Sequence, residues 1–226
     1  MKTIVVIGGS KGIGKAIVDN LKETTKIINI SRTPSEEHKN IVSYTCDVTV
    51  DKLPELESEV HSLVYCPGSI NLKSFTRLTL DDFQNDFNVN VIGAIKTLKA
   101  YENQLVKSKG SVVLFSSVAS MLGMPFHASI AASKSAVEGL TKSLAAEYAT
   151  KVRFNAIAPT VTNTPLASRL LRNEKQQESM KQRHPLKKYL ESKEVADLAC
   201  YLLSEKASAI TGQVIPIDAG IVTVKI

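Results

Sequence analysis

Tryptophan is absent from the 226 residues, and phenylalanine with tyrosine brings aromatics to only 5%. Binding of single-stranded nucleic acid leans on aromatic stacking platforms, so nucleic acid is not expected as a partner despite a formal charge of +6. Cysteine is equally scarce. Cys46, Cys66 and Cys200 are odd in number, far apart and outside metal spacing, which argues against a disulfide framework and fits reduced thiols. The four histidines are scattered, so no metal site is expected. Long hydrophobic runs are missing too. The opening "MKTIVVIGGS" breaks at glycines after a few apolar residues, too early for a signal peptide or a spanning helix. The expectation is a cytoplasmic protein with no membrane partner.

What is present is ordinary for a globular chain: 43% apolar and 22% charged residues. The length suits one α/β domain over residues 1–226. Strand-like and helix-like stretches alternate. "TIVVIGG", "KIINISR", "SYTCDVT", "HSLVYCPG", "SVVLFSS", "VRFNAIAP" and "GQVIPIDAG" read as strands. Helical spacing marks "IGKAIVDNLKE", a short crossover helix at "LPELESEV", one long helix from Thr79 as N-cap to Gly110 as stop, a helix near 131–149, and "SKEVADLACYLLSE". That order predicts a Rossmann-type, doubly wound parallel sheet in a three-layer α/β/α arrangement. Much of the positive charge is local: Arg169, Arg172, Lys175, Lys181, Arg183, Lys187, Lys188 and Lys193. The stretch is either a solvated helical face or an anion-attracting lid, and residues 164–190 are the expected substrate lid.

"IGGSKGIGKAI" places Gly8, Gly12 and Gly14 between the first strand and the first helix, with Ser10, Lys11 and Ile13 among them. There glycines allow a tight turn and a close approach of pyrophosphate to the backbone, while the helix N-terminus offers amide donors. An acid at the end of the second strand would favour NAD(H) through the ribose hydroxyls. The chain has Ser31 and Arg32 instead, with Lys11 in the turn, so NADP(H) is favoured over NAD(H); an exposed, solvated Arg32 is the competing reading.

With these motifs the chain resembles the short-chain dehydrogenase/reductase family along nearly its whole length. "GGSKGIG" is similar to the family's glycine turn, with Ile7 where threonine is common, and "CDVT" to the segment whose aspartate, here Asp47 beside Val48, helps hold adenine. "NVNVIG" points to Asn90, "LFSSVAS" to Ser117, and "NAIAPTVTNTP" to Pro159, Val161 and Thr164 on the nicotinamide side, with Thr160 in place of the usual glycine. "YCPG", residues 65–68, stands where an asparagine-rich segment is common and keeps only Gly68. The resemblance implies that Ser117 hydrogen-bonds a substrate oxygen. It also implies that Lys134 binds the nicotinamide ribose, that Asn90 supports a water-linked proton path, and that a tyrosine four residues before the lysine moves the proton. Homodimers or homotetramers through the two long helices are implied as well.

Position 130 holds isoleucine. Counting forward from Ser117 and back from Lys134 gives the same position, so the register is fixed from both sides. Three readings follow. His127, seven residues before Lys134, delivers the proton if the segment after Pro125 folds over the pocket; enoyl reductases in the wider family have their tyrosine at a similar spacing. Or hydride passes to a conjugated double bond, as in the wider family's dienoyl and enoyl reductases, with a different proton donor such as water, leaving a slow reductase. Or the chain binds NADP(H) without turnover, as a regulator or scaffold. The substrate expected is a small molecule, with a hint toward an anionic or thioester-linked one.

Overall fold

The computed structural model describes residues 1–225. The strands are β1 (Thr3–Ile7), β2 (Lys26–Ser31), β3 (Ile41–Thr45), β4 (Ser62–Tyr65), β5 (Ser111–Phe115), β6 (Arg153–Pro159), the short β7 (Thr162–Asn163) and β8 (Leu190–Glu191), and β9 (Val214–Ile217). The helices are α1 (Gly12–Leu21), α2 (Leu80–Phe87), α3 (Gly93–Lys107), α4 (Ala128–Glu147), α5 (Glu174–Gln182) and α6 (Ser192–Leu203). Seven strands form one parallel sheet in the order β3-β2-β1-β4-β5-β6-β9, and β7 pairs with β8 separately. This is the doubly wound Rossmann-type architecture. The sheet order reverses direction between β1 and β4, which opens a crevice at the carboxyl ends of the strands.

Strand alternation divides the core. Val5 and Ile7 of β1 pack on one face with Val91, with Leu98, Tyr101 and Leu105 of α3, and with Val137 and Ala145 of α4. Ile4 and Val6 pack on the other with Ile17 and Val18 of α1 and Val195, Ala199 and Leu202 of α6. Both faces of the central strands are buried, which is why they read as continuous branched apolar runs.

Three expectations need correction. "LPELESEV" is not a helix: no helical residue occurs between β3 and β4. Pro54 supplies no N–H, and Glu55 and Glu59 would form a like-charge pair one turn apart. Extended, the segment buries Leu53 and Val60. Its carbonyls are taken up by side chains of the later helix region: Tyr101 Oη donates to Pro54 O at 2.9 Å, Gln104 Nε2 to Leu56 O at 3.3 Å and Ser108 Oγ to Val60 O at 2.6 Å. The segment from 79 to 110 is not one regular helix either. Thr79 caps α2 with a capping box shared with Asp82, but a π turn at Asn88–Ile92 separates α2 from α3, which ends at Lys107. The wider turn frees backbone carbonyls, and two are satisfied from the side. Asn90 Nδ2 donates to Asp86 O at 2.8 Å, and the Tyr65 hydroxyl to Val89 O at 2.6 Å, reaching past Gly93, where a Cβ would lie 2.2 Å from that hydroxyl. Finally, α4 begins at Ala128 rather than near 131, with His127 at its N-cap.

Candidate active site

The glycine turn leaves β1 with Gly8 at φ +79° and Gly12 at φ +56°, conformations that side chains with a Cβ rarely adopt. It is fastened from beneath by a residue the sequence reading did not single out. Asn29, fully buried in β2, accepts from Gly9 N at 2.9 Å and donates to Ser31 Oγ at 3.1 Å; Ser31 in turn donates to Thr33 O at 2.6 Å. Thr33 Oγ1 then donates to Ser10 Oγ at 2.9 Å. The Ser31 hydroxyl is therefore committed inside the fold, and Thr33 stands against the turn in its place. Lys11, exposed and extended at the N-cap of α1, makes no side-chain cap, and the first turn of α1 carries no acid. Its amides are thus available to an anion.

Arg32 is exposed at the end of β2. Asp47 lies beyond β3, its Oδ1 accepting from Thr49 N at 2.9 Å and Thr49 Oγ1 at 2.6 Å. Those bonds, with the nearby charges of Arg32 and Lys96, hold its carboxyl below the usual range. Val48 beside it is buried.

At the crevice the elements converge. A Cβ built on Gly68, just past β4, would lie 3.4 Å from Asn90 Oδ1 and 3.6 Å from Lys134 Nζ, so the bare glycine brings those two groups together across its open face. Asn90 is buried in the π turn, its Nδ2 donating to Asp86 O and, at 2.9 and 3.3 Å, to Ser69 Oγ and Ser133 Oγ, while its Oδ1 has no partner. A buried polar atom without a partner is costly. Lys134 is buried on α4, where Nζ donates to Phe115 O at 2.8 Å; burial draws its ammonium down to about 8, with Asp86 and then Cys66 opposing. Ser117 follows β5, its Oγ accepting from Ala119 N at 3.2 Å.

Gly68, Ser117 and Lys134 line a cavity of about 250 Å³. Ile13, Gly68, Ser117, Lys134, Pro159, Val161 and Thr164 all face it, as do His127 and Ile130. The described residues thus bring the nicotinamide-side candidates together with Ser117 and Lys134, while Asn90 reaches the same point from behind Gly68. His127 Nδ1 lies 2.7 Å from Pro125 O, which fixes the proton on Nδ1 and leaves Nε2 a bare acceptor in the neutral ring.

Residues 164–190 border the same cavity through Leu166, Leu170, Met180, Arg183 and His184. Of the basic run, Arg183 faces the cavity; Lys188 pairs with Glu194 at 2.5 Å and Lys193 with Asp197 at 2.9 Å on the outer side. Thr160 has a partner no local pattern announces: its Oγ1 lies 2.8 Å from Nε2 of buried His184, whose Nδ1 lies 2.8 Å from Met180 O. The carbonyl fixes the tautomer, so the threonine hydroxyl donates to Nε2. Among the described residues no cluster of potential metal ligands occurs, and no helix is long and apolar enough to cross a membrane.

The orphaned Asn90 Oδ1, the uncovered α1 amides and the open face of Gly68 fit a dinucleotide lying from the glycine turn to the cavity. Comparison with known proteins agrees. A family model described as enoyl-(acyl carrier protein) reductase matches residues 8–222. A tropinone reductase homolog of Datura stramonium is 32% identical over 96% of this chain and 91% of its own. The aldohexose dehydrogenase of Thermoplasma acidophilum superposes with a TM-score of 0.90 at 28% identity, covering 99% of this chain and 95% of its own. A structure of ElxO with NADP bound does so at 0.87 and 28%, covering 99% of both chains.

Proposed function

Because the chain belongs to the short-chain dehydrogenase/reductase family, we propose that it is an NADP(H)-dependent reductase working without the family's tyrosine. A bound nicotinamide supplies the hydride, to a carbonyl or a conjugated enoyl group. Ser117 hydrogen-bonds the substrate oxygen, Lys134 holds the ribose hydroxyls, and Asn90 Oδ1 accepts from a water between itself and Lys134. Ile130 lines the cavity where the resemblance places a phenol, and its alkyl chain neither gives nor takes a proton. The proton then comes from water or from His127, which donates through Nε2 only when the ring carries both protons. Gly8, Ser10, Lys11, Gly12, Ile13, Gly14 and Thr33 cradle the phosphates, Asp47 and Val48 border the adenine, and Arg32 with Lys11 pairs with a 2′-phosphate. Pro159, Val161 and Thr164 border the nicotinamide, and residues 164–190 close over the substrate.

The observation that carries this reading is the meeting of Asn90 Oδ1, Lys134 Nζ and the open face of Gly68 at one point beside a cavity bordered by Ser117. Purified protein is mixed with NADPH and a panel of ketones, quinones and enoyl thioesters. Slow cofactor oxidation is expected, slowed further by Ser117→Ala. NADPH binding without turnover on any panel member, or no binding at all, refutes the proposal. A homo-oligomer fits the small, exposed residues Ala132, Ser135, Gly139 and Ser143 along α4, a stripe that allows close approach of a second copy; sedimentation tests it.

A further inference from the structure

A half-buried acid with no role assigned above borders the turn that carries Ser117. Glu138 lies on α4 one helical turn after Lys134. Its contacts are two hydroxyls rather than a cation: Ser116 Oγ donates to Oε1 at 2.6 Å, and Ser120 Oγ meets the same oxygen. Both bonds fall on Oε1, which leaves Oε2 outside the clamp. Taking a carboxylate partly out of water costs free energy that hydroxyl donors offset only in part, so this is not an ordinary surface glutamate. The two serines flank Ser117. Buried Ser116 continues β5 through its amide, which donates to Ile157 O at 2.8 Å, and its Oγ also lies 3.3 Å from Lys134 O. Ser120 closes the turn, its amide donating to Ser117 O at 3.0 Å and its Oγ lying 2.5 Å from the same carbonyl. Ser117 Oγ accepts from Ala119 N at 3.2 Å, which leaves its own hydrogen for a substrate oxygen. Glu138 therefore grips the residue before Ser117 and the residue three after it, from the helix that carries Lys134.

We propose that Glu138 is a positioning residue: through Ser116 and Ser120 it fixes the turn bearing Ser117 against the helix bearing Lys134, and so sets the spacing of those two groups at the cavity. The proposal rests on the reading of Ser117 as the group that hydrogen-bonds the substrate oxygen.

The remaining contacts of the turn hold it in place without aiming it. Val118 and Ala119 are buried, and their apolar contact keeps the turn on the core, but burial of apolar surface has no direction. Direction comes from the hydrogen bonds that converge on Glu138 Oε1. A misplacement of about 1 Å at a reacting group can cost about 10²-fold in rate, so a loosened turn matters even when it stays folded. The geometry uses an acceptor rather than a charge. A glutamine presents the same acceptor at Oε1, with its amide nitrogen at the Oε2 position outside the clamp.

The test joins amide hydrogen exchange of the cofactor-free protein to steady-state NADPH oxidation. In Glu138→Ala the amides of Ala119 and Ser120, whose acceptors are Ser117 Oγ and Ser117 O, should exchange at least about tenfold faster, while those of β5 and the rest of α4 stay within about twofold. Glu138→Gln, the conservative rescue, should stay within about threefold of wild type in both assays. In the kinetic arm Glu138→Ala should lower kcat by about tenfold or more with KM for NADPH unchanged, and adding Ser117→Ala to it should cost nothing further, since both act through one hydroxyl. Four results each overturn the proposal: unchanged exchange at Ala119 and Ser120 in Glu138→Ala, acceleration spread evenly over β5 and α4, a Glu138→Gln protein as impaired as Glu138→Ala, or losses that add in the double variant. If Glu138→Ala does not fold, Ser120→Ala decides, because it removes one grip and leaves α4 untouched; faster exchange at Ala119 supports the clamp and unchanged exchange there overturns it. Failure of the functional reading shows separately, as wild-type protein that does not oxidise NADPH while the exchange of Ala119 and Ser120 still responds to Glu138→Ala.

Discussion

Placing a phenol back at position 130 is the most direct perturbation of this site. Ile130 is 5% exposed, borders the cavity, and sits one turn before Lys134 on α4. Its backbone carbonyl accepts from Ser133 Oγ at 3.0 Å, a bond that does not depend on the side chain. In Ile130→Tyr the ring extends into a cavity of about 250 Å³, ample when one water occupies about 30 Å³, so the core need not be displaced. Tyrosine and isoleucine have similar helix propensities, and the change in stability should stay within about 1 kcal/mol. The gain is kinetic. A positioned general acid contributes roughly 10²–10⁴-fold, so kcat/KM for a ketone should rise by that factor, about 3–5 kcal/mol of transition-state stabilisation. Steady-state NADPH oxidation with one ketone measures it, and circular dichroism checks the fold. A folded Ile130→Tyr protein that binds NADPH as tightly as wild type yet gains less than about tenfold refutes the view that Ser117, Lys134 and Asn90 remain arranged for hydride transfer.

Glycine positions offer a matched pair. A Cβ at Gly14 would lie 2.2 Å from Gly8 O, backbone that cannot yield, so Gly14→Ala should cost about 3 kcal/mol, lower Tm by roughly 6–12 °C and abolish NADPH binding; exposed Gly139 in α4 has nothing within 4 Å, and Gly139→Ala should instead raise Tm by about 2–4 °C. Arg32→Ala should weaken NADPH binding by about tenfold or more while leaving NADH unchanged, read by cofactor fluorescence; equal losses for both would dismiss the 2′-phosphate pairing. Because burial draws Lys134 below its unfolded value, the folded protein holds fewer protons than the unfolded between about pH 8 and 10.5, so this lysine's penalty, about 3 kcal/mol, is full below pH 8 and fades above it. Urea titrations of Lys134→Met against wild type should show a stability difference that moves in favour of wild type as pH rises from 7 to 10. Thr160→Val removes the hydroxyl at 2.8 Å from buried His184 and should cost about 1–3 kcal/mol, with faster proteolysis within 164–190.

The sheet was readable because its strands are buried on both faces and punctuated by glycine and polar turns. The glycine turn was open to sequence reasoning because local spacing sets it between a strand and a helix, and Lys134 was legible on a helix face, whereas the choice of Ser117 and the site role of Lys134 came from the family resemblance. What escaped depends on partners distant in the chain. Residues 53–60 carry a plausible helical pattern, and only the donors of Tyr101, Gln104 and Ser108 make the extended form satisfactory. The π turn needs the Tyr65 hydroxyl to accept the geometry. Asn29 looks like any polar residue in a strand, and the pairing of Thr160 with His184 spans 24 positions. The orientation of Ser31 was not legible, since only the fold shows its hydroxyl turned inward to donate to Thr33 O.

The laced connection between β3 and β4 also bears on biosynthesis. Its three carbonyls are held by donors 47 or 48 residues downstream, so a chain emerging amino end first has nothing with which to order that link until the later helix has left the ribosome. Nascent chains halted before Tyr101 should remain open to protease at 53–60, and those released past Ser108 should become resistant there, in a single step.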